Sequence, residues 1–371
     1  MDNNTRAFLA LVKAGLWEKD ASLLPYGDID YKEVYRLAQE QAVVGLVAAG
    51  LDHVIDIKIP KEEKLQFVGM TLQLEQRNII LNAAIARLIE DLRDQSIYAL
   101  LVKGQGIAQC YEKPLWRASG DIDLLLDDCG FIKAKEYFDK LVGGEKVVSH
   151  KNQKKKHIDY YYESDVVEIH GTLHSCLSTR IDRSIDEVQS KVFSKGDVRS
   201  WDNNGTDVFI PSPDNDVVFV FTHILQHLFK GGIGLRQICD WCRLLWTYRE
   251  SLDYGLLESR IKQMGLMTEW KAFAYLSVNT LGMPKDAMPF YSSKYNRKAD
   301  KLLTFILDVG NFGHNKDYSY FTKQPVYLRK ATTLCRQISD SAKLFVIFPM
   351  DSMVFLGSFI KAGFVAFFYN E

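Results

Sequence analysis

Two aspartates separated by a single isoleucine, Asp121 and Asp123 in the run GDIDLLL, carry the most chemical content in this sequence. On an extended strand alternate side chains leave the same face, so the two carboxylates would point together. Side by side they repel and raise each other's pKa unless a cation neutralises them. A hard divalent cation such as magnesium, which also binds phosphates, is the natural guest. Two metal ions arranged for in-line attack on a phosphate need more carboxylate than one pair supplies. Glu168, in VVEIH, offers a third from another apolar strand, with His170 two residues further along the same face. In this constellation Asp121, Asp123 and Glu168 hold the metals, Glu168 could also take the proton of an acceptor hydroxyl, and His170 could orient Glu168.

Phosphate chemistry also needs a cradle. In LLVKGQGIAQCY a short apolar run ends at Lys103, Gly104 and Gln105 and leads into a helix. The exposed N–H groups of that turn could receive phosphate oxygens, and Lys103 adds a point charge. Arg117, just before the aspartates, could add a bidentate phosphate contact or pair with a nearby acid. Further along, His223 and His227 stand four apart on one helical face, as do Arg236 and Asp240 on the next helix. Two histidines at that spacing could hold zinc, but the glutamate of an H-E-x-x-H motif is missing. The expectation is instead that His227, Arg236 and Asp240 form a buried polar network facing the cleft, steadying two domains or touching substrate. Cys239 and Cys242 bracket Asp240 as a C-x-x-C inside a helical run with no second pair at zinc spacing, so they are expected as buried helical thiols.

The elements that must position these residues change character along the chain. From Thr5 to about Ser96 apolar residues recur at three and four, as in Val34, Leu37, Ala38 and Ala42, and Pro60 followed by Glu62 and Glu63 predicts a long helix running to Asp94. At Ile97 the period changes: IYALLVKG and IDLLL read as buried strands, with a short helical turn and a Pro114 loop between them. A helix is predicted over Ile132 to Leu141. VVSH, HIDYYYE and VVEIH follow as strands, with Gly143-Gly144 and the lysine-rich KNQKKK at the turns. DVFI is a last strand ending at Pro211, and Ser212 or Asp214 then caps a helix. Only helical patterns follow, interrupted at Gly231 to Gly234, Pro284 to Pro289 and Asn311 to Asp317. Three segments result: residues 1–96 helical, 97–211 α/β, and 212–371 helical.

At 371 residues, 47% of them apolar, the chain is long enough for two or three compact units with proper cores. A formal net charge of −1 and a pI near 6.7 exclude the broad basic footprint of a duplex DNA or tRNA binder, which favours a domain pI above about 9. Nucleic acid is therefore not the expected partner. The lysines beside aromatics in KNQKKKHIDYYY are read as a solvated hairpin turn. Six scattered cysteines and an N-terminus without an apolar secretory core point to a reducing cytoplasm. The stretch Leu344 to Phe368 is apolar and long enough to cross a bilayer, but Pro349, Asp351 and Lys361 interrupt it. It is expected as two short helices packed on a core, with contact to a membrane surface as the alternative.

Taken together, LLVKGQGIAQCYEKPLWRASGDIDLLL, VEIHGTL and the stretch from IPSPDNDVVFVFTHILQHL to GLRQICDW resemble the nucleotidyltransferase-fold superfamily that includes DNA polymerase beta, and within it the family of uncharacterised nucleotidyltransferases. The resemblance implies an α/β (α+β) fold with a small mixed sheet, flanking helices and an all-helical C-terminal domain. It also implies two Mg2+ ions and transfer of a nucleoside monophosphate from an NTP such as ATP. By position, Lys103 and Gly104 stand where the superfamily keeps a Gly-Ser phosphate turn, Asp121 and Asp123 are the paired metal ligands, and Glu168 is the third carboxylate. Lys-Gly replaces Gly-Ser and the gap to the aspartates is longer, which leaves an NTP and another phosphorylated donor both open. Relatives linked to surface-polysaccharide or other secondary biosynthesis make a sugar, alcohol or sugar phosphate the first acceptor expected, by analogy, and a protein hydroxyl the second. Two other classes fit the same residues: a non-catalytic nucleotide-binding or regulatory module, and an antitoxin-like enzyme that transfers AMP to a partner protein.

Overall fold

The computed structural model describes residues 1–141, 156–315 and 325–368. Several helices begin where the sequence supplies acceptors for their first N–H groups. Asp2 caps α1 (Asn3–Trp17) by accepting from the Thr5 N–H at 2.8 Å, and Asp30 caps α2 (Tyr31–Glu40) by accepting from Lys32 and Glu33. Next comes α3 (Val44–Asp52), which lies so close to α1 that no side chain fits between their backbones. A Cβ on Gly15 would fall 1.9 Å from the Leu46 carbonyl oxygen, and one on Gly50 would fall 2.1 Å from that of Leu11. As predicted, α4 (Lys61–Asp94) opens after Pro60, with Glu62 and Glu63 in its first turn and Arg93 in its last, each sign complementing the helix dipole.

The centre of the chain runs β1 (Leu100–Val102), the short α5 (Gly104–Ala108), β2 (Ile122–Leu125), α6 (Asp128–Leu141), β3 (His157–Tyr162) and β4 (Asp165–His170). These strands form one sheet in the order β1-β2-β4-β3, with β2 and β4 parallel and both outer pairs antiparallel. The fold is thus mixed α/β: a small mixed sheet, flanking helices and a helical C-terminal region. Helix α6 starts four residues before Ile132, because Asp127 accepts from the Gly130 N–H at 2.6 Å and provides the first turn. The expected VVSH strand, the Gly143-Gly144 turn and all of KNQKKK but Lys156 lie outside the described residues. Two further elements have no counterpart in the sequence expectations. One is α7 (Thr179–Lys195), capped by Ser178 and ended by a left-handed Gly196. The other is β5 (Val198–Asn203), which pairs antiparallel with β6 (Thr206–Pro211) in a separate ribbon.

Pro213 sits at the first position of α8 (Pro213–Lys230), and among the described residues only helices follow. These are α9 (Leu235–Thr247), α10 (Tyr254–Met264), α11 (Met267–Asn279), α12 (Asn296–Val309), α13 (Val326–Phe345) and α14 (Pro349–Phe368). The two short helices expected within Leu344 to Phe368 are instead the end of α13 and one helix, α14. Pro349 opens that helix, Asp351 lies in its first turn, and Lys361 is carried exposed on it rather than breaking it. Among the described residues no helix is long and apolar enough to cross a membrane.

Two apolar cores result. The smaller packs Leu81, Ile85 and Leu88 of α4 and Phe131 of α6 against one face of the sheet, where Ile122, Leu124, Val167 and Ile169 are buried. The larger joins α1 to α3 with α8 to α12 and α14, from Phe8 to Phe355. Each fully buried residue such as Phe221 or Phe273 contributes roughly 1.5–3 kcal/mol there. With its apolar face taken by the smaller core, the sheet turns its other face, and the side chains that chemistry needs, toward α8 and α9.

Candidate functional site

Alternation along β2 sends Ile122 and Leu124 into the smaller core and frees Asp123 for the opposite face. The parallel neighbour β4 is held in a register that sets Glu168 directly beside Asp123. Asp121, one residue before β2, lines the same cavity as these two, a space of about 310 Å³, within the range of small-molecule sites. The opposite wall is built by His223 and His227 of α8, Arg236 of α9 and Phe312. Between β1 and α5, Lys103 adopts φ 61° and ψ −146° and Gly104 φ 44°. A non-glycine residue in that region is strained. Lys103 holds its Nζ 2.7 Å from Asp123 Oδ1.

The three carboxylates live in different fields. Burial opposes the charge on Asp123, but Lys103 and the His170 ring, whose Nε2 is 2.9 Å from Oδ1, outweigh it and hold the carboxyl well below the usual range. Burial likewise opposes the charge on Glu168, and hydrogen bonds from His157 at 3.2 Å and His170 at 3.4 Å bring it down to about 2. Asp121 has no ion-pair partner among the described residues. Burial, then the charges of Glu168 and Asp123, push it up to about 6. For His170, burial disfavours the imidazolium, yet its bonds to Asp123 and Glu168 prevail and raise its pKa.

Histidines gather on both sides. His157 of β3 and His170 of β4 are register partners whose rings stack, with centroids 4.6 Å apart and planes 4° from parallel. Their ligand atoms and that of Glu168 lie within 4.8 Å of one another, an acidic and imidazole set able to hold a metal ion. On α8 the rings of His223 and His227 are 4.3 Å apart. Burial, with Lys103 adding to it, lowers His227 to about 4 and His223 well below its ordinary value, so both are neutral at neutral pH.

Arg236 is the cation that faces them. One Nη donates to the Ala118 carbonyl at 3.0 Å, its Nε is buried without a partner, and no carboxylate among the described residues forms an ion pair with it. Burial, then Arg117, lower its pKa to about 10, which leaves it charged at neutral pH. Its guanidinium lies 5.9 Å from the Phe312 ring, and Phe312, at φ 51°, stands edge-on to His227 at 4.8 Å. Arg117 is differently placed: its Nε and one Nη donate to the two Asp240 oxygens, each at 2.7 Å, and the Tyr111 hydroxyl donates to Asp240 at 2.8 Å.

Most residues singled out in the sequence therefore meet at one cavity: Lys103, Gly104, Arg117, Asp121, Asp123 and Glu168 from the sheet side, and His227, Arg236 and Asp240 from the helices. Several expectations need correction. Gln105 is buried and turned away, its amide donating to Asn78 and Asn82 of α4 at 3.2 and 2.7 Å, so it does not reach the cavity. The fork of Arg117 is closed by Asp240 and leaves no bidentate phosphate contact. His227, Arg236 and Asp240 share the cavity but no hydrogen bond joins them, because Asp240 is taken by Arg117 and Tyr111. Glu168 is engaged by His157 and His170, whereas Asp121 forms no ion pair among the described residues, so the proton-accepting role expected of Glu168 falls better to Asp121. Cys239 and Cys242, by contrast, are the buried helical thiols expected, and burial pushes the Cys242 thiol up to about 12. Two residues were missed. His157 had a signal, the alternation of His157 and Asp159 ahead of an aromatic run, while Phe312 had none beyond its place in a helix break.

A model of the family described as uncharacterised nucleotidyltransferase matches residues 27–282, more than two thirds of the chain. No curated protein and no solved structure matches it.

Proposed function

The chain belongs to the uncharacterised nucleotidyltransferase family, and on that premise we propose that it moves a nucleoside monophosphate from an NTP to a hydroxyl or phosphate oxygen of a small, sugar-related molecule, with magnesium. That it is a transferase enzyme, and that its substrate is an NTP, follow from the family. The observation that carries the rest is Asp121, which forms no ion pair among the described residues, beside Asp123 and Glu168 and across a cavity from Arg236, which pairs with no carboxylate there.

Three carboxylates are a hard oxygen set with surplus negative charge, which suits magnesium. Asp121, Asp123 and Glu168 would hold it, and when bound it would neutralise the triphosphate and make an acceptor oxygen more nucleophilic. The chain's own groups do the positioning. Arg236 receives phosphate oxygens through its unused N–H groups, and Lys103, now on Asp123, is close enough to share itself with a phosphate. The first N–H groups of α5 have no intrahelical acceptor and face the same turn. Of the three carboxylates that line the cavity, Asp121 alone has no ion-pair partner among the described residues, which leaves it an oxygen to take the acceptor's proton. As the acceptor oxygen bonds to the α-phosphorus, the bond to the bridging oxygen of the β-phosphate breaks and pyrophosphate leaves with that electron pair. Neutral His223 and His227 exchange hydrogen bonds with acceptor hydroxyls without adding charge, and Phe312 offers a ring to stack on the base. We place the enzyme in a reducing cytoplasm, a proposal supported by buried thiols at Cys239 and Cys242.

The test is pyrophosphate release with each NTP, with and without magnesium, against pooled sugar, alcohol and sugar-phosphate acceptors. We expect magnesium-dependent release from the wild type and none from the Asp121→Asn, Asp123→Asn double variant, whose circular dichroism should be unchanged. A double variant as fast as the wild type would place the chemistry elsewhere. Nucleotide bound without release of pyrophosphate would instead identify a binding module.

A further inference from the structure

We propose that His157 and His170, with Glu168 between them, form a site for a borderline divalent cation of the zinc class, distinct from the magnesium that the aspartates would hold. The inference goes beyond nucleotidyl transfer and does not depend on it. Its ground is a mismatch between donors and acceptors. The β3 and β4 register stacks the two imidazoles and aims both Nε2 atoms at the same Glu168 oxygen, from 3.2 and 3.4 Å. Each Nε2 also faces a second carboxylate: His157 faces Asp159 Oδ1 at 2.9 Å, and His170 faces Asp123 Oδ1 at 2.9 Å. An imidazole Nε2 has one hydrogen to give, so it cannot satisfy two carboxylate oxygens well. The deficit is visible at Asp159 Oδ1, which is buried and has no hydrogen-bond partner despite its closeness to His157.

A divalent cation held by the two Nε2 lone pairs and Glu168 replaces this contest for hydrogens with a single charge: each imidazole keeps its hydrogen on Nδ1, and the cation offsets the carboxylates of Asp159 and Asp123 beside it. It replaces protons as the positive charge among the carboxylates, and it accepts lone pairs from all three ligand atoms, which already lie within 4.8 Å of one another. The donor type decides which cation. Imidazole nitrogen suits zinc, cobalt or nickel, whereas magnesium prefers oxygen and keeps its waters. Two histidines and a glutamate are a set that zinc accepts with a position left open. Glu168 also lines the cavity, so the site lies against its sheet side. Glu168 belongs to both cation sets, so the two sites share one carboxylate.

The experiment uses the full chain and zinc alone, titrated by calorimetry, with cobalt as a spectroscopic stand-in. We expect one zinc ion whose affinity survives an excess of magnesium, and a cobalt complex with the strong visible bands of a low-coordinate, nitrogen-ligated ion. His157→Gln should weaken zinc at least about tenfold and remove those bands, since even loss of a supporting group around a metal costs about 10–100-fold. Asp121→Asn, which removes a neighbouring charge but no ligand atom, should weaken zinc less than His157→Gln does and keep the visible bands. His157 is partly exposed, so its replacement does not open the core; His170→Gln, a buried change, is a second variant to be judged beside its circular dichroism. Absence of zinc uptake, wild-type affinity in His157→Gln, or loss of zinc in Asp121→Asn alone would overturn the site. Pyrophosphate release is not the readout, so either proposal can fail while the other stands.

Discussion

At the scale of single residues, the charge on Arg236 is available to a ligand where its neighbours' charges are spent: Lys103 is held by Asp123 and Arg117 by Asp240. Hydrogen bonds to charged groups contribute roughly 1.5–3 kcal/mol, so Arg236→Ala should lower kcat/KM for the NTP on the order of 10–100-fold, mainly by raising KM. Arg236→Lys should recover only part of this, because an ammonium lacks the planar fork. Steady-state kinetics with varied NTP decide it, and an unchanged KM in the alanine variant would remove the phosphate from Arg236. What was legible in the sequence at this scale follows a simple rule. Asp121, Asp123, Glu168 and His170 were found because alternation within one strand fixes which side chains share a face. His157 was not, because its place depends on the register between β3 and β4, which no single-strand pattern contains. Of the two roles open to Arg117, a phosphate contact or a pair with a nearby acid, the structure shows the second, and its partner was not legible for a related reason. Arg236 is the residue one helical turn from Asp240, yet the arginine that reaches Asp240 comes from a loop 123 positions earlier.

Among the elements, the contact of α1 with α3 depends on the absence of two side chains. Gly50→Ala would drive a methyl group into the Leu11 carbonyl, a backbone atom that cannot swing aside, and overpacking of this kind costs about 1–3 kcal/mol. Denaturant midpoints should show that loss, and a variant as stable as the wild type would mean that the helices do not approach this closely. Element boundaries were legible wherever a cap and a period coincide, as at Pro60 for α4 and Ser212 for α8. Helix α7 carried such signals as well, with Ser178 before it, Gly196 after it and Ile181, Ile185, Val188 and Val192 buried at helical spacing. Its many charged residues hide that stripe when composition is weighed first. Strand β5 is harder in principle: as half of a two-stranded ribbon it buries few side chains, so VRSWDN shows little alternation. In the C-terminal stretch Lys361 misled because a charge on an exposed helix face looks, in sequence alone, like an interruption.

Across the whole molecule, α14 packs on the larger core through Phe355, with a buried carboxyl of α11 beside its first turn. Glu269 of α11 is buried against Asp351 in the first turn of α14, and burial, then Asp351, push the glutamic acid up to about 8 from its ordinary 4.5. Below 4.5 both the folded and the unfolded chain hold the proton and this contribution to stability is complete. Between 4.5 and 8 the unfolded chain has released it while the folded chain keeps it, so stability falls as pH rises, and above 8 the loss is complete. The melting temperature of the wild type should therefore decline more steeply across this window than that of Glu269→Gln, which cannot ionise. Parallel pH profiles for the two proteins would show that the pair does not control the docking of α14.

The larger core draws on both the first helices and the last, with the sheet between them in the chain. During translation the acidic strands leave the ribosome well before α8 and α9, which carry the histidines and Arg236. The anionic half of the cavity is thus made first and stays open on one side until the wall that carries Arg236 has been synthesised. A product ended before α8 has the carboxylates but no wall opposite them.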